Sequence, residues 1–285
     1  MNIFQKPILV LCVFLLTFTT ASAQVTQSDV ATNSDKFKLR AVAEIGYVAV
    51  LDHKIQFSNS GTEIDYVKEG GQDNLYPVSR FSLEADLNPK NTIVFLYQPL
   101  RIESTALLER DLVIDDLVYP AGSGVNFLYN FPFYRISYLR EFMSNNPKYS
   151  FAFGATVQIR NATITFESLD GTLFRRNADV GIVPALKLRT RANFNDRLYA
   201  EIEADGIYAP VSYLNGADNE IVGAILDASA RLGYKVNTPV SAFVNARYLG
   251  GGAVGTDPDS TGPGDGYVKN WLHFLTVTTG FVYSF

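Results

Sequence analysis

Cysteine is nearly absent from this sequence. One of the 285 residues is a cysteine, and Cys12 lies within an apolar run near the start of the chain rather than directly after a cleavage site. If that segment is removed, the remaining chain has no cysteine, which excludes disulfides and thiolate metal sites. We therefore expect a fold held by packing and hydrogen bonds alone, with no cofactor and no metal.

Long hydrophobic runs are also missing. The run over 8–18 is too short to cross about 30 Å of hydrocarbon as a helix, and no later stretch reaches the roughly 18 uninterrupted apolar residues that such a helix needs. Lys6 before this run and Ala-Ser-Ala after it are typical of a secretory signal peptide. The sequence predicts a signal peptide at 1–23, a short segment at 24–36 and one domain at 37–285.

An excess of positive charge is lacking too. The formal net charge is -5, and removal of residues 1–23, which contain one lysine and no acid, changes it to -6. Nucleic acid attracts basic surfaces. We therefore expect no nucleic-acid partner.

The sequence instead shows apolar and polar residues alternating with a period of two. This period is typical of β-strands, and no convincing amphipathic helix interrupts it. The pattern predicts ten strands, at 37–51, 76–88, 91–106, 125–143, 149–167, 179–192, 197–209, 219–235, 239–250 and 269–285.

The lengths of the connections between these strands alternate strictly. An even number of strands joined alternately by tight turns and long loops is typical of an outer-membrane barrel, with both chain ends on the periplasmic side. The sequence predicts an all-β, transmembrane antiparallel up-and-down β-barrel of about ten strands in the bacterial outer membrane. The tight turns, rich in Asn, Pro and Asp, lie at 88–91, 144–148, 193–196 and 236–238; the long loops lie near 52–75, 107–124, 168–178, 210–218 and 251–268.

The two faces of the strands differ in polarity. Along 179–192 and 197–209, apolar residues alternate with charged ones, and lipid around the barrel would place the charged face inward. If paired residue numbers sum to about 390, Arg189 lies opposite Glu201 and Lys187 opposite Glu203. The predicted interior charge ladder comprises Lys187, Arg189, Glu201, Glu203, Asp205, Asp227, Arg231 and Arg247.

Two interpretations of this ladder stay open. Charges of both signs neutralise one another and plug the barrel, since buried charges persist mainly when paired; or they line a narrow, porin-like channel for solutes. We also expect Pro184 to cause a bulge or kink, because a closed barrel has no free strand edge for a residue without an N–H.

The long loops are acidic. With boundaries slightly widened, they contain 16 Asp and Glu against 6 Lys and Arg. This excess suggests an alternative function in surface adhesion or cation binding, beside the lipopolysaccharide that surrounds such a barrel.

Two histidines suggest a less favoured alternative, an outer-membrane hydrolase. His53 and His273 end the first and last strands, so closure of the barrel would let them approach one another near Asp52. The ten-stranded omptin proteases use paired aspartates and a His-Asp couple, whereas Asp115 and Asp116 are consecutive and predict the turn of a small hairpin. We find no convincing catalytic constellation and expect no enzymatic activity.

Aromatic residues cluster where membrane interfaces are expected, above all in Phe281, Tyr283 and Phe285 on one face of the last strand. The segments EIVGAILDASARLGYKV, FVNARYLGGGAVGT and NWLHFLTVTTGFVYSF, with NTIVFLYQPL and NFPFYRISYLREF earlier, resemble an uncharacterised family of Gram-negative outer-membrane β-barrel proteins. The resemblance implies location and fold and transfers no functional residue. The terminal aromatics also resemble the C-terminal signal read by the barrel-assembly machinery, which is then an expected partner together with outer-membrane lipid.

Overall fold

The computed structural model describes residues 37–210, 220–258 and 263–285. The predicted signal peptide at 1–23, the segment at 24–36 and nearly all of the predicted loop at 210–218 lie outside these ranges. Nothing in the described ranges is a helix long and apolar enough to cross a membrane. The described strands are β1 Lys38–Phe57, β2 Ile64–Asp65, β3 Leu75–Asn88, β4 Asn91–Gln98, β5 Arg101–Leu107, β6 Leu112–Ile114, β7 Leu117–Tyr119, β8 Gly124–Asn130, β9 Phe133–Glu141, β10 Tyr149–Ser168, β11 Phe174–Asn193, β12 Leu198–Pro210, β13 Val222–Lys235, β14 Val240–Thr256 and β15 Tyr267–Ser284.

The strands close into an antiparallel barrel of ten crossings, which confirms the predicted fold class. Strand β15 pairs with β1 from Arg40↔Ser284 to Phe57↔Val268, and this ladder joins the two ends of the sheet. Strands β4 and β5 form one crossing and β8 and β9 another, each interrupted at a proline, Pro99 and Pro132 respectively. Proline cannot donate to a ladder, yet the register continues across both interruptions.

All four predicted tight turns lie at one end of the barrel, here called the turn end, together with Phe285. The opposite end, the loop end, is more regular than expected. Strand β1 continues to Phe57, and β10 and β11 leave only residues 169–173 between them, so the loop predicted at 168–178 is wrong. Arg175 and Arg176, which fall in that predicted loop, belong to β11.

The wall has two lateral seams, where neighbouring crossings lose their ladder. The ladder between β11 and β12 ends at Leu186↔Gly206, although β11 continues to Phe174 and β12 to Pro210. The ladder from β3 to β4 ends at Phe81↔Tyr97, and no described pairing joins β3 to β5. The expected bulge at Pro184 is wrong: β10 and β11 pair without a shift at Val157↔Pro184. Pro184 instead lies just above the last β11–β12 ladder pair.

The outer surface changes character along the barrel. Towards the turn end, outward residues of β10 are apolar, such as Phe153, Val157 and Ile159. Beyond Ile159 the outward positions become Asn, Thr, Thr and Glu up to Glu167. At about 3.3 Å per residue, this polar part of β10 projects roughly 20 Å beyond the apolar belt.

The interior changes in the opposite sense. Level with the apolar belt lies the charged layer, composed of inward ionic side chains that include Glu44, Arg80, Arg135, Lys187, Asp205, Asp227 and Arg247. Towards the loop end lies the apolar layer, a cluster that includes Ile55, Phe57, Ile64, Tyr66, Phe127, Tyr129, Phe166 and Phe274.

Candidate functional site in the barrel interior

Asp227 on β13 is the central node of the charged layer. Its carboxylate accepts hydrogen bonds from Arg135 on β9 at 2.8 Å and from Arg247 on β14 at 2.5 Å. The Arg80 guanidinium on β3 lies 3.7 Å away. Since β9 and β3 belong to the opposite side of the barrel from β13, these contacts cross the lumen.

A second node forms at Asp205 on β12. Lys187 Nζ donates to Asp205 at 2.8 Å, and Arg135 donates to the same carboxylate oxygen at 2.9 Å. Thr156 supplies a hydroxyl at 2.6 Å to the other oxygen. Lys187, Arg135 and Asp205 are each only 1% exposed, so the charges are removed from water and neutralise one another within the lumen.

The predicted register between β11 and β12 is wrong by two in the sum of paired residue numbers. Residue numbers sum to 392, which places Arg189 opposite Glu203, Lys187 opposite Asp205 and Arg191 opposite Glu201. The cause is the turn, where Asn195 Oδ1 accepts the N–H groups of Arg197 and Leu198 and so shifts its centre. Lys187 still reaches Glu203, at 2.7 Å along the diagonal.

The remaining ladder residues also point inward and contact the far wall. Arg189 contacts Glu84 on β3 at 3.0 Å, and Arg231 contacts both Glu44 at 3.0 Å and Glu201 at 3.3 Å. All eight residues of the predicted ladder therefore meet in one network.

The charged layer, taken as the ion-paired inward residues together with Arg160, comprises nine cations and seven carboxylates. Eight of the cations lie within 4.0 Å of a carboxylate, and Arg160 is the described exception. The cations are Arg40, Arg80, Arg135, Arg160, Lys187, Arg189, Arg191, Arg231 and Arg247; the carboxylates are Glu44, Glu84, Asp86, Glu201, Glu203, Asp205 and Asp227.

A polar group centred on His53 is embedded in the apolar layer. His53 Nδ1 lies 2.8 Å from Gln72 Oε1, and its ring stacks on Tyr66 with centroids 4.8 Å apart. The Tyr66 hydroxyl and Gln72 Nε2 are buried without a hydrogen-bond partner. Sequence reasoning missed Tyr66 and Gln72, because both follow β1 in a segment interpreted as an exposed loop.

The two histidines do not form a site together. A bulge between Val50 and Asp52 inserts one residue into β1 and turns His53 into the lumen, opposite Leu272. His273 keeps its outward orientation, where its ring contacts the Tyr248 hydroxyl. The expected approach of His53 to His273 is therefore wrong, because the bulge and the barrel wall separate them.

The two consecutive aspartates form the turn of the β6–β7 hairpin, where Ile114 pairs with Leu117. Both contact Arg175 on β11, which fastens the hairpin to the loop end. Within the described ranges, no group of three or more His, Cys, Asp or Glu side chains could hold a metal ion.

The last strand presents its aromatic residues outward. Phe281, Tyr283 and Phe285 are 60%, 46% and 69% exposed, while Val282 between them is buried. The Phe285 N–H donates to the Leu39 carbonyl at 2.9 Å, so the final residue is part of the closing ladder.

The architecture defines a class of protein, and comparisons agree with it. The chain is similar to the outer membrane protease OmpT from Escherichia coli, with 12% identity, a TM-score of 0.50, and coverage of 87% of this chain and 97% of that chain. It also matches a Pseudomonas aeruginosa FadL homologue (9% identity, TM-score 0.39, coverage 88% and 89%) and the transport unit of the autotransporter AIDA-I from Escherichia coli (10%, 0.39, 91% and 93%).

These likenesses concern the fold, which is that of the bacterial outer-membrane β-barrel proteins. No family model matches the sequence, and no curated protein matches it. The resemblance to an uncharacterised Gram-negative family stays a prediction.

Proposed function

We propose that this protein resides in the outer membrane of a Gram-negative bacterium, with its turn end in the periplasm and its loop end outside the cell. The apolar belt, the outward aromatics at the turn end and the fold support this placement. In this orientation Phe281, Tyr283 and Phe285 meet lipid at the periplasmic interface and serve as the signal for the barrel-assembly machinery.

We infer that the barrel does not conduct and acts as a rigid anchor for its external end. The observation that carries this inference is the set of contacts from Arg135 and Arg80 to Asp227, which join opposite walls through the centre of the lumen. A channel for solutes requires a continuous polar path, whereas here the charged side chains contact one another and the apolar layer covers them. Ion passage would have to break several buried ion pairs, each costly to open.

Single-channel recording in planar bilayers tests this function. The native chain should insert without discrete conductance steps. The double variant R135A/D227A, which removes both partners of the central pair, should also stay without steps, because the apolar layer still covers the charged layer. Discrete steps from the native protein would contradict the plugged barrel. Heat-modifiable gel mobility of both proteins shows that each is folded.

A second candidate function is surface binding through the acidic loop end. Two contacts favour it by ordering this surface: Arg175 fastens the β6–β7 hairpin, and Arg110 donates to Glu69 at 2.8 Å. Hydrogen bonding to Glu69 raises the pKa of Arg110, so Arg110 keeps its positive charge at physiological pH. A Gly-Ser replacement of 257–266 should abolish calcium or cell binding while the barrel stays intact; unchanged binding would refute this role.

The proposal assigns no reaction to the protein. The two histidines lie on opposite faces of the wall, and the consecutive aspartates are held in a hairpin turn by Arg175. Replacing His53 with alanine should leave peptide cleavage and lipid A mass spectra as they are in the native strain.

A further inference from the structure

The seam between β11 and β12 leaves an opening in the ladder near the external edge of the apolar belt. Residues 174–185 of β11 pair with β10 on one side and have no ladder partner among the described residues on the β12 side. Pro184 and Pro210 lie on the two facing edges, and neither has an N–H to donate. Each proline therefore removes one possible donor from the two strands that border the seam.

The outer rim of this seam is strongly apolar. Val180, Ile182 and Tyr208 are 64%, 69% and 74% exposed, and they face the lipid that surrounds the belt. Just inside, Val183 and Ile207 are only partly buried although they point into the lumen and pack against the apolar layer. At Gly181, no atom lies within 4 Å of the position that a Cβ would occupy.

Arg160 lies on the inward face of β10, the strand next to the β11 edge of this opening. It pairs with Gly181 across β10 and β11, and its guanidinium carbon lies 5.4 Å from the ring centroid of Phe131. Its Nε is buried without a hydrogen-bond partner. The other eight cations of the charged layer lie within 4.0 Å of a carboxylate, whereas half-buried Arg160 has no described carboxylate that close, so an anion would stabilise its charge.

The other seam supplies a comparison within the same molecule. Between β3 and β5 the gap is closed by residues 64–74, with Ser104 donating to the Gly70 carbonyl at 2.5 Å and Tyr76 to the Gly71 carbonyl at 3.1 Å. No described segment makes such contacts across the β11–β12 seam. At the β3–β5 seam, another segment of the chain thus covers the gap in the ladder. At the β11–β12 seam, near Arg160, no described segment does so.

We propose that the β11–β12 seam binds an amphiphilic carboxylate, a molecule of fatty-acid type, that enters sideways from the outer leaflet. Its carboxylate pairs with the Arg160 guanidinium, and its tail passes between Val183 and Ile207 to the lipid. Asp179, exposed on the inward face of β11 one rung above Gly181, disfavours a second negative charge on the ligand. This site goes beyond the anchoring function: it rests on the proposed membrane placement but not on a closed lumen.

The test uses the full chain in phosphatidylcholine nanodiscs with dodecanoate labelled with carbon-13 at the carboxyl group. The native protein should give a second, saturable carboxyl resonance beside that of dodecanoate dissolved in lipid. R160Q should weaken binding at least about tenfold, because the charge-assisted hydrogen bonds are lost. R176Q, which removes an arginine from the outer face of β11, should bind as the native protein does.

A second pair of variants tests the route. G181W should fill the open space and abolish the second resonance, whereas G181A fits there and should retain it. Native protein without a second resonance, or R160Q with unchanged affinity, would overturn the site. Butyrate, which has the same carboxylate and almost no tail, should bind far more weakly; equal affinity would overturn lateral entry. Conductance by the native barrel would refute the plugged lumen, but it would not change the expected results of these dodecanoate-binding tests.

Discussion

The charged layer and the apolar layer are two halves of one barrel with opposite polarity. At the level of the belt, outward Val277 is 60% exposed, while inward Asp227 is 1% exposed. Beyond the belt, inward Phe166 is 1% exposed, and its outward neighbour Glu167 is exposed to solvent. The alternation of the strands continues through both halves, and what changes is which face is apolar.

The difference shows that the surrounding medium sets the composition of the interior. Burial of apolar surface from water drives packing only where water lies outside, so the projecting half has an apolar core like that of a water-soluble protein. In the proposed membrane placement, lipid covers the apolar face of the belt, and ion pairs hold the interior together. Loss of one ion-pair partner should therefore be costly in the belt, and loss of apolar volume in the projection.

The largest effect is expected from D227A. This change leaves the buried Arg247 guanidinium without its ion-pair partner and removes one of two partners from Arg135, which should cost about 3–5 kcal/mol of unfolding free energy. Urea unfolding in detergent, followed by the folded and unfolded gel bands, measures it. D179N, at an exposed carboxylate with no described ion pair, should stay within about 0.5 kcal/mol of the native protein. A loss of similar size in both variants would contradict the network.

Truncation of Phe127 in the apolar layer should cost about 3 kcal/mol or more, because a buried aromatic leaves a cavity. Phe127 is 1% exposed and packs edge-on against Tyr66 at 5.4 Å. The matched control is F153A, at a lipid-facing position that is 43% exposed, where no internal cavity forms. Amide hydrogen exchange of the loop end should accelerate for F127A alone; equal losses of stability would remove the distinction between the two halves.

Substitution of two outward valines by arginine should show which of them faces lipid and which faces water. Val277 and Val118 have similar exposure, 60% and 50%, but Val277 lies in the belt and Val118 on the β6–β7 hairpin. V277R should cost about 2–4 kcal/mol, as a charge facing the middle of the bilayer does. V118R should cost less than about 0.5 kcal/mol. Folding yields into lipid vesicles report both, and equal yields would show that Val277 does not face lipid.

The smallest effect concerns the β10–β11 turn in the aqueous half. Hydrogen bonds from Ser168 and then Thr172 lower the pKa of Asp170 to about 2 from its ordinary value of 3.8. The folded turn favours the ionised form of Asp170. The stabilisation that Asp170 gives the folded protein is therefore fully present above the ordinary pKa and is lost as the pH falls through about 2. Carboxyl NMR titration should give this low midpoint, whereas a midpoint near 4 would mean that the turn is not formed.

The number of strands and the inward or outward orientation of their residues could be predicted, because side chains alternate between the two faces of a barrel wall. Asp227 and Arg247 were assigned to the interior by parity alone, and both are buried there. Registers could not be obtained in this way, since they depend on turn geometry: the hydrogen bonds of Asn195 shift the β11–β12 pairing by two in the residue sum. The extra residue before Asp52 likewise reverses His53 without any mark in the sequence.

The apolar layer was not predicted because its residues are compatible with two different locations. Phe127, Tyr129 and Phe166 fit a lipid-facing girdle as well as a water-excluding core, and only the position of the belt decides between them. The polar residues 161–167 were assigned to a predicted strand, but the first residues of β11, 174–178, were interpreted as part of a loop. The lack of a described carboxylate partner for Arg160 could not be predicted, because it depends on distances that no sequence pattern contains.

The reversal of polarity along β10 can be measured directly by spin labels at two outward positions. Cysteines at Val157, in the belt, and Thr165, in the projection, can be labelled in a chain expressed from residue 24, which has no other cysteine. In lipid vesicles the label at 157 should be accessible to oxygen and protected from a water-soluble nickel chelate, and the label at 165 should show the reverse. If both labels respond alike, the two halves share one medium and the account is wrong.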